Sequence, residues 1–260
     1  MASRYGFLFS LRWLGMAVLG VVLVVACILL GNWQHGRYEE RAATNDRIEA
    51  ARHDSTPADV QELLPAGSAP SKDAEWRLIT ADGVYDSAGQ VLIRNRTVNG
   101  EVGYEVVTPL VMADGTALLV DRGWVPASEN SATELPDVPA PPDGTVTVVG
   151  QVRPGEGRIG DVDAVEGVAQ ARSINVDQLG DRLDMPVLGA YVTESEPADG
   201  LSAIPVTEER SWQNFAYSYQ WWLFAVMIPI GLGAIARREA NPPTERPRRQ
   251  SVAEALETAN

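Results

Sequence analysis

Few side chains in this sequence are equipped for chemistry. Its 260 residues include two histidines, His35 and His53, and one cysteine, Cys27. Two imidazoles cannot build a three-histidine metal site and argue against a Ser-His-Asp arrangement. There is no Gly-rich phosphate loop and no zincin helix. Cys27 lies inside an uncharged apolar run, where a thiol is a small packed residue rather than a nucleophile. A lone cysteine also excludes an intramolecular disulfide. Carboxylates are abundant, but a cluster such as Asp161, Asp163 and Glu166 reads as a solvated loop. The chain is therefore expected not to be an enzyme and to hold no resident metal. A membrane-anchored hydrolase, working through an unadvertised acidic pair, is the alternative.

Three polar features remain. In Trp33-Gln34-His35-Gly36-Arg37, an imidazole at the edge of an apolar segment is able to ligate haem iron. The competing role is an interfacial anchor of aromatic and basic residues. Arg94-Asn95-Arg96 and Asp121-Arg122-Gly123-Trp124 each close a predicted strand. They could form an arginine patch for a propionate or a partner. The sequence favours a local role, with a strand-end arginine paired to Asp121 and Gly123 making a bend that lets Trp124 pack back.

Two apolar segments must position these groups. Trp13–Leu30 carries no charge, and a second segment runs from the aromatic cluster Phe215, Tyr217, Tyr219, Trp221 and Trp222 to Arg237-Arg238. About 20 apolar residues at about 1.5 Å rise span a bilayer core of about 30 Å. The expected organisation is a cytoplasmic N-terminus over 1–12 and a first span over 13–33. An extracytoplasmic domain over 34–212, a second span over 213–236 and a disordered cytoplasmic tail over 237–260 follow. Arginines flanking the spans, among them Arg4, Arg12, Arg237 and Arg238, set this orientation, while Arg37 and Arg41 oppose it. Val24-Val25-Ala26-Cys27 resembles a lipoprotein cleavage site, yet the apolar run continues through Leu30, so an uncleaved span is expected. The whole-chain net charge of −14 arises from an acidic excess between the spans, which argues against nucleic acid and anionic lipid headgroups as partners.

Between the spans the pattern is β-rich. The first span is expected to continue as a polar helix to Arg52, and Ser55-Thr56-Pro57 reads as a further helix start. Strands are predicted over Trp76–Val84, Val91–Arg96, Tyr104–Val111, Ala117–Val125 and Thr145–Arg153, with another around Ala190–Thr193. Asp86–Gly89 and Ala113–Gly115 read as hairpin turns in which glycine takes positive φ. Pro65–Asp73, Pro136–Gly144 and Gly155–Gly167 read as loops, and Ile174–Leu183 as a short helix capped by Asn175. The fold class is thus two transmembrane helices flanking a mainly antiparallel β-domain, a small barrel or sandwich, with a few short helices.

The order of motifs carries a resemblance. Gly31-Asn32-Trp33-Gln34 with Arg37 closes the first span. Then come Gly83-Val84-Tyr85-Asp86, Arg94-Asn95-Arg96, Gly103-Tyr104 through Pro109-Leu110, Val120-Asp121-Arg122-Gly123-Trp124-Val125-Pro126 and Gly150-Gln151-Val152-Arg153 with Glu156. Tyr217 with Gln220-Trp221-Trp222 opens the second span. In this order the chain resembles the Surfeit locus protein 1 family, as a bacterial and actinobacterial member. The resemblance implies a plasma-membrane assembly factor for haem-copper cytochrome c oxidase, with the catalytic haem-bearing subunit and membrane lipid as partners. It implies no permanent cofactor and at most transient contact with haem a, for which His35, Trp221, Trp222 and Arg122 are the candidates. Some members are thought to bind haem a through a histidine at the start of the second span. This chain has Asn214 there, not an ordinary haem ligand. A haem a carrier using His35, or a permanent accessory subunit of a respiratory complex, are the alternatives.

Overall fold

The computed structural model describes residues 5–54, 56–64, 68–128, 134–206 and 210–241. The basic tail expected to be disordered lies outside these residues from 242 onward, as does Ser55. The chain divides into two compact units, one formed by residues 1–42 with 210–260 and the other by 43–209.

The first unit contains a helical pair. Helix α1 (Leu11–His53) is one unbroken helix that continues beyond the apolar run, as the sequence predicts, and its last residues belong to the second unit. Helix α4 (Trp212–Ala240) passes through Pro229 without interruption. Both are long and apolar enough to cross a bilayer, with best-window mean hydropathies of 2.8 and 1.5. Only 17% and 6% of those windows are buried, so neither is the core helix of a soluble fold. The helices run antiparallel, with Gly20 against Leu232 and Gly31 against the Trp222 indole. At the far end the Trp13 indole N–H donates to Glu239 at 3.2 Å, with Arg12 at 3.8 Å from the same carboxylate.

The second unit is a nine-stranded sheet that closes on itself. Its strands are β1 (Ala58–Asp59), β2 (Leu78–Tyr85), β3 (Val91–Val98), β4 (Glu101–Val111), β5 (Ala117–Pro126), β6 (Thr145–Pro154), β7 (Asp163–Val165), β8 (Val168–Ala171) and β9 (Val187–Glu194). The order is β1-β2-β6-β9-β5-β4-β3-β8-β7, and a further pairing of β2 with β4 closes β2, β6, β9, β5 and β4 into a five-stranded barrel. Closure removes sheet edges that would otherwise template pairing. Alternate residues point inward, as the two-residue strand period demands. Ile79, Ala81, Leu110, Leu118, Val120, Val148, Val152, Leu188, Ala190 and Val192 fill the interior. The opposite face of β5 and β9 carries a second core, where Leu119 and Tyr191 pack with Val107, Ile93, Ala171 and Ile174 under the short helix α3 (Val176–Gly180).

Four local expectations change. The helix α2 (Val60–Leu63) starts later than Ser55-Thr56-Pro57 suggests, because Asp59 caps it by accepting from the Gln61 N–H at 2.8 Å. Asp86–Gly89 is not a hairpin turn: β2 and β3 do not pair, and a 3-10 turn capped by the Asp86 carboxylate joins them. The Gly155–Gly167 loop contains β7 and leads into β8, strands too short for a periodic signature. Trp76, expected inside a strand, precedes β2 at φ 71°. Ala113–Gly115 does turn the β4–β5 hairpin, with Gly115 at φ 82°, and Asn175 does cap α3, accepting from the Gln178 N–H at 2.9 Å.

Candidate functional site

The sequence-derived candidates fall in three places. His35 and Trp222 meet on the facing surfaces of α1 and α4, ring centroids 5.4 Å apart. Their neighbours form a chain of tilted aromatic contacts: Trp222–Tyr219 at 5.4 Å, Tyr219–Phe215 at 4.7 Å, Phe215–Tyr38 at 5.2 Å and Tyr38–His35 at 5.8 Å. Such contacts contribute about 0.5–1.5 kcal/mol each beyond burial. The Trp222 indole N–H donates to Asn32 at 3.2 Å, and Gly31 leaves room for its ring. The imidazole Nε2 of His35 lies 3.5 Å from Glu39, one turn on, and its Nδ1 is buried without a hydrogen-bond partner. Trp221 points elsewhere on α4 and meets Phe224 edge-on at 5.9 Å. His35 and Trp222 are thus brought together, and Trp221 is not part of their cluster.

Arg122 is inside the barrel. Its side chain shares the face of Leu118 and Val120, and the residue is 1% exposed. The guanidinium donates to the Gln90 side-chain oxygen at 3.4 Å and to the backbone carbonyls of Pro139 and Ala140 at 3.2 and 3.3 Å. It also lies 5.5 Å from the Tyr85 ring centroid, and the Tyr85 hydroxyl donates to Glu194 at 3.2 Å. Burial lowers the Arg122 pKa and raises those of Tyr85 and Glu194. Arg122 does not pair with Asp121, because adjacent strand residues point to opposite faces, and Arg96 is the strand-end arginine on the side of Asp121. Among the described residues the contacts of Arg122 are internal, and the Pro-rich loop covers it through Pro139 and Ala140. That arrangement holds a barrel together.

The outer face carries a cluster in which Arg96 and Asp121, both noted in the sequence, meet the acids Glu105 and Glu156. Arg96 Nε lies 2.8 Å from Glu105 and Arg96 Nη2 lies 2.6 Å from Glu156. Asp121 faces the same side, 2% exposed, accepting a long 3.4 Å bond from the Gly123 N–H. Two bulges aim these groups. Between Arg94 and Arg96 the ladder gains one residue, Asn95 at φ 64°, which turns Arg96 towards the face of Ile93 and Glu105. In β5 the residues Arg122 and Gly123 oppose the single residue Val106, with Gly123 at φ 136°. Trp124 then packs back, as expected, and its indole N–H donates to the Arg96 carbonyl at 3.1 Å. Burial pushes the Glu105 carboxyl up to about 6 and raises Asp121 well above its ordinary value. Burial alone would lower Arg96, but Glu105 and Glu156 hold it raised. Arg94 is separate, paired with Asp163 at 3.3 Å.

These positions can be set beside known proteins. The SURF1 family model matches residues 21–226, most of the chain. The chain belongs to the SURF1 family. Uncharacterized SURF1-like proteins of Mycobacterium tuberculosis and Mycobacterium bovis are each 33% identical over 258 residues, 94% of both chains. A SURF1-like protein of Dictyostelium discoideum is 27% identical over 111 residues, 41% of each. The family match includes α1 from Val21, the whole barrel and α4 through Val226. Within it Trp33 and Tyr217 are exposed on the helices, while Arg122, Gly123 and Trp124 are structural parts of the barrel wall. Tyr104 and Pro109 lie on β4, while Gln34 and Arg37 lie on α1, where Arg37 pairs with Glu40 at 3.1 Å. No group of three or more His, Cys, Asp or Glu side chains fit to hold a metal occurs among the described residues.

His35 is the one histidine beside the aromatic residues of α4. A ligating histidine ordinarily donates its second ring N–H to an acceptor that fixes its orientation. In His35 the Nε2 atom lies 3.5 Å from the Glu39 carboxylate, which leaves Nδ1 as the free ring nitrogen, and the rings beside it pack on one another. Asn214 supplies no alternative ligand.

Proposed function

We propose that this chain is an assembly factor for a haem-copper cytochrome c oxidase, acting on the catalytic subunit while it acquires haem a. The family match over residues 21–226 carries this proposal. The two bilayer-length helices support it, since they suit work beside an integral membrane enzyme. The flanking arginines favour both termini in the cytoplasm of a bacterial plasma membrane, with the β-domain outside. The function is scaffolding rather than catalysis. The exposed aromatic residues of α4, Tyr217 and Phe224, offer contact to lipid or to oxidase helices.

Deleting the gene in its own host and recording reduced-minus-oxidised membrane spectra tests the proposal. Selective loss of the haem a band, restored by the wild-type gene, is the expected result. An unchanged band with normal oxidase activity would overturn it. For a scaffold that does not ligate haem, a His35→Ala gene is expected to restore the band. If that variant is expressed yet fails, the chain handles the cofactor through His35. Stoichiometric retention in the mature oxidase would instead make it a permanent subunit.

A further inference from the structure

The outer cluster of the β-domain has more acid groups than its surroundings can ionise. Three carboxylates, Glu105, Asp121 and Glu156, face two guanidiniums, Arg96 and Arg153, with the buried Tyr191 hydroxyl beside them. These groups come from β3, β4, β5, β6, β9 and the segment after β6. With all of them ionised, the cluster would carry one uncompensated negative charge, which is unfavourable at its buried end, where Asp121 and Tyr191 lie. One retained proton makes it neutral. Asp121 is the place for that proton, since it is the most enclosed of the three and has one long backbone donor. Glu105 and Glu156 then share the Arg96 guanidinium.

The cluster is mechanically connected. The Glu156 oxygen held by Arg96 also accepts from the Ile174 N–H at 2.9 Å. The Glu156 carbonyl accepts from the Asn175 side chain at 2.7 Å, and Asn175 caps α3. Arg96 therefore straps α3 to the sheet through one carboxylate. The strap also forms part of the wall of an 810 Å³ cavity lined by Glu156, Asn175, Val176, Asp177 and Gly180.

We propose that this cluster is a proton-linked latch, which holds one proton at neutral pH, takes a second on Glu105 in mild acid, and so tightens the strap on α3. Protonating Glu105 removes its repulsion of Glu156 and leaves Arg96 to Glu156 alone. Acid strengthens this contact, the reverse of what it does to an ordinary salt bridge. The raised Glu105 carboxyl fits this direction, and Arg153, stacked 3.9 Å from the Trp76 ring centroid, keeps a second positive charge nearby.

Hydrogen exchange of the full-length protein in lipid nanodiscs tests the latch at Ile174–Gly180, corrected for intrinsic exchange at each pH. Protection is expected to be higher at pH about 5 than at about 7.5, since protonating Glu105 removes its repulsion of Glu156 in the closed strap. Glu105→Gln should shrink that step, and the double variant with Asp121→Asn should abolish it. A flat wild-type profile, or a full step in the double variant, overturns the proposal. Infrared spectra of the wild type provide a check that does not depend on variants folding. A protonated-carboxyl band at neutral pH supports the retained proton, and its absence overturns it.

Discussion

Arg122 holds a permanent positive charge inside the barrel, where three acceptors and one aromatic face receive it. Removing the guanidinium leaves the Pro139 and Ala140 carbonyls and the Glu194 carboxylate without their donor or countercharge. Arg122→Ala is therefore expected to destabilise the β-domain by about 3–5 kcal/mol, read from denaturant unfolding. Arg122→Lys should rescue only part of that loss, because an ammonium cannot serve the carbonyl pair as a planar fork does. A variant as stable as the wild type would show that the loop carbonyls find water at no cost. Asn95 is the second position where one side chain decides much. Its φ of 64° suits Asn and Gly but strains a β-branched residue. Asn95→Val should cost about 1–2 kcal/mol or more, and Asn95→Gly little, by the same measurement.

At the scale of elements, the helical pair depends on close approach at small residues. Gly31 faces the Trp222 indole with no room for a Cβ, and Gly20 faces Leu232 similarly. In a bilayer, helices associate through such packing because lipid supplies no hydrophobic drive between them. Gly31→Leu should push α1 and α4 apart and break the Trp222–Asn32 hydrogen bond. Lower disulfide cross-linking between cysteines introduced at Gly20 and Leu232, in a Cys27→Ser background, would register the separation. Unchanged cross-linking would mean that the indole finds another rotamer. The sheet has a comparable device in Gly103, whose missing Cβ lets the Trp124 ring lie over β4. The two bulges, at Asn95 and at Arg122-Gly123, then bring Arg96, Glu105 and Asp121 to one face.

For the whole molecule, pH is the informative variable. The folded Glu105 carboxyl is raised to about 6 from an ordinary value of 4.5, and its side chain is 12% exposed. A raised folded value means that the native state binds the proton more tightly than the unfolded chain. The resulting stabilisation is fully present below 4.5 and is lost as pH rises through about 6. It amounts to roughly 2 kcal/mol. Asp121 acts in the same direction. Denaturant unfolding of the β-domain at several pH values should show greater stability near pH about 5 than near pH about 7.5. A domain that weakens steadily with acid would contradict this.

The apolar runs, the aromatic cluster of α4, most strands and the family could be read from the sequence because each has a local cause. A span is a matter of length and hydropathy, a strand of alternation, and the Asn175 cap of one side chain placed before a short helix. Barrel closure could not be read, because β2 reaches β4 through only two residue pairs, 84–111 and 85–110, remote in sequence. The sides taken by Asp121, Arg122 and Arg96 could not be read either. Alternation separates the first two, and a single bulged residue reverses the face of the third, an event with no periodic signal. The same step decided the chemistry. Arg122, singled out as a possible ligand, became an internal brace, and Glu105, an ordinary strand residue by pattern, became a buried acid. The sequence by itself determined the family and the two bilayer-length helices. Only the tertiary structure decided which charges are buried together, because the energy of a charge depends on what surrounds it in space.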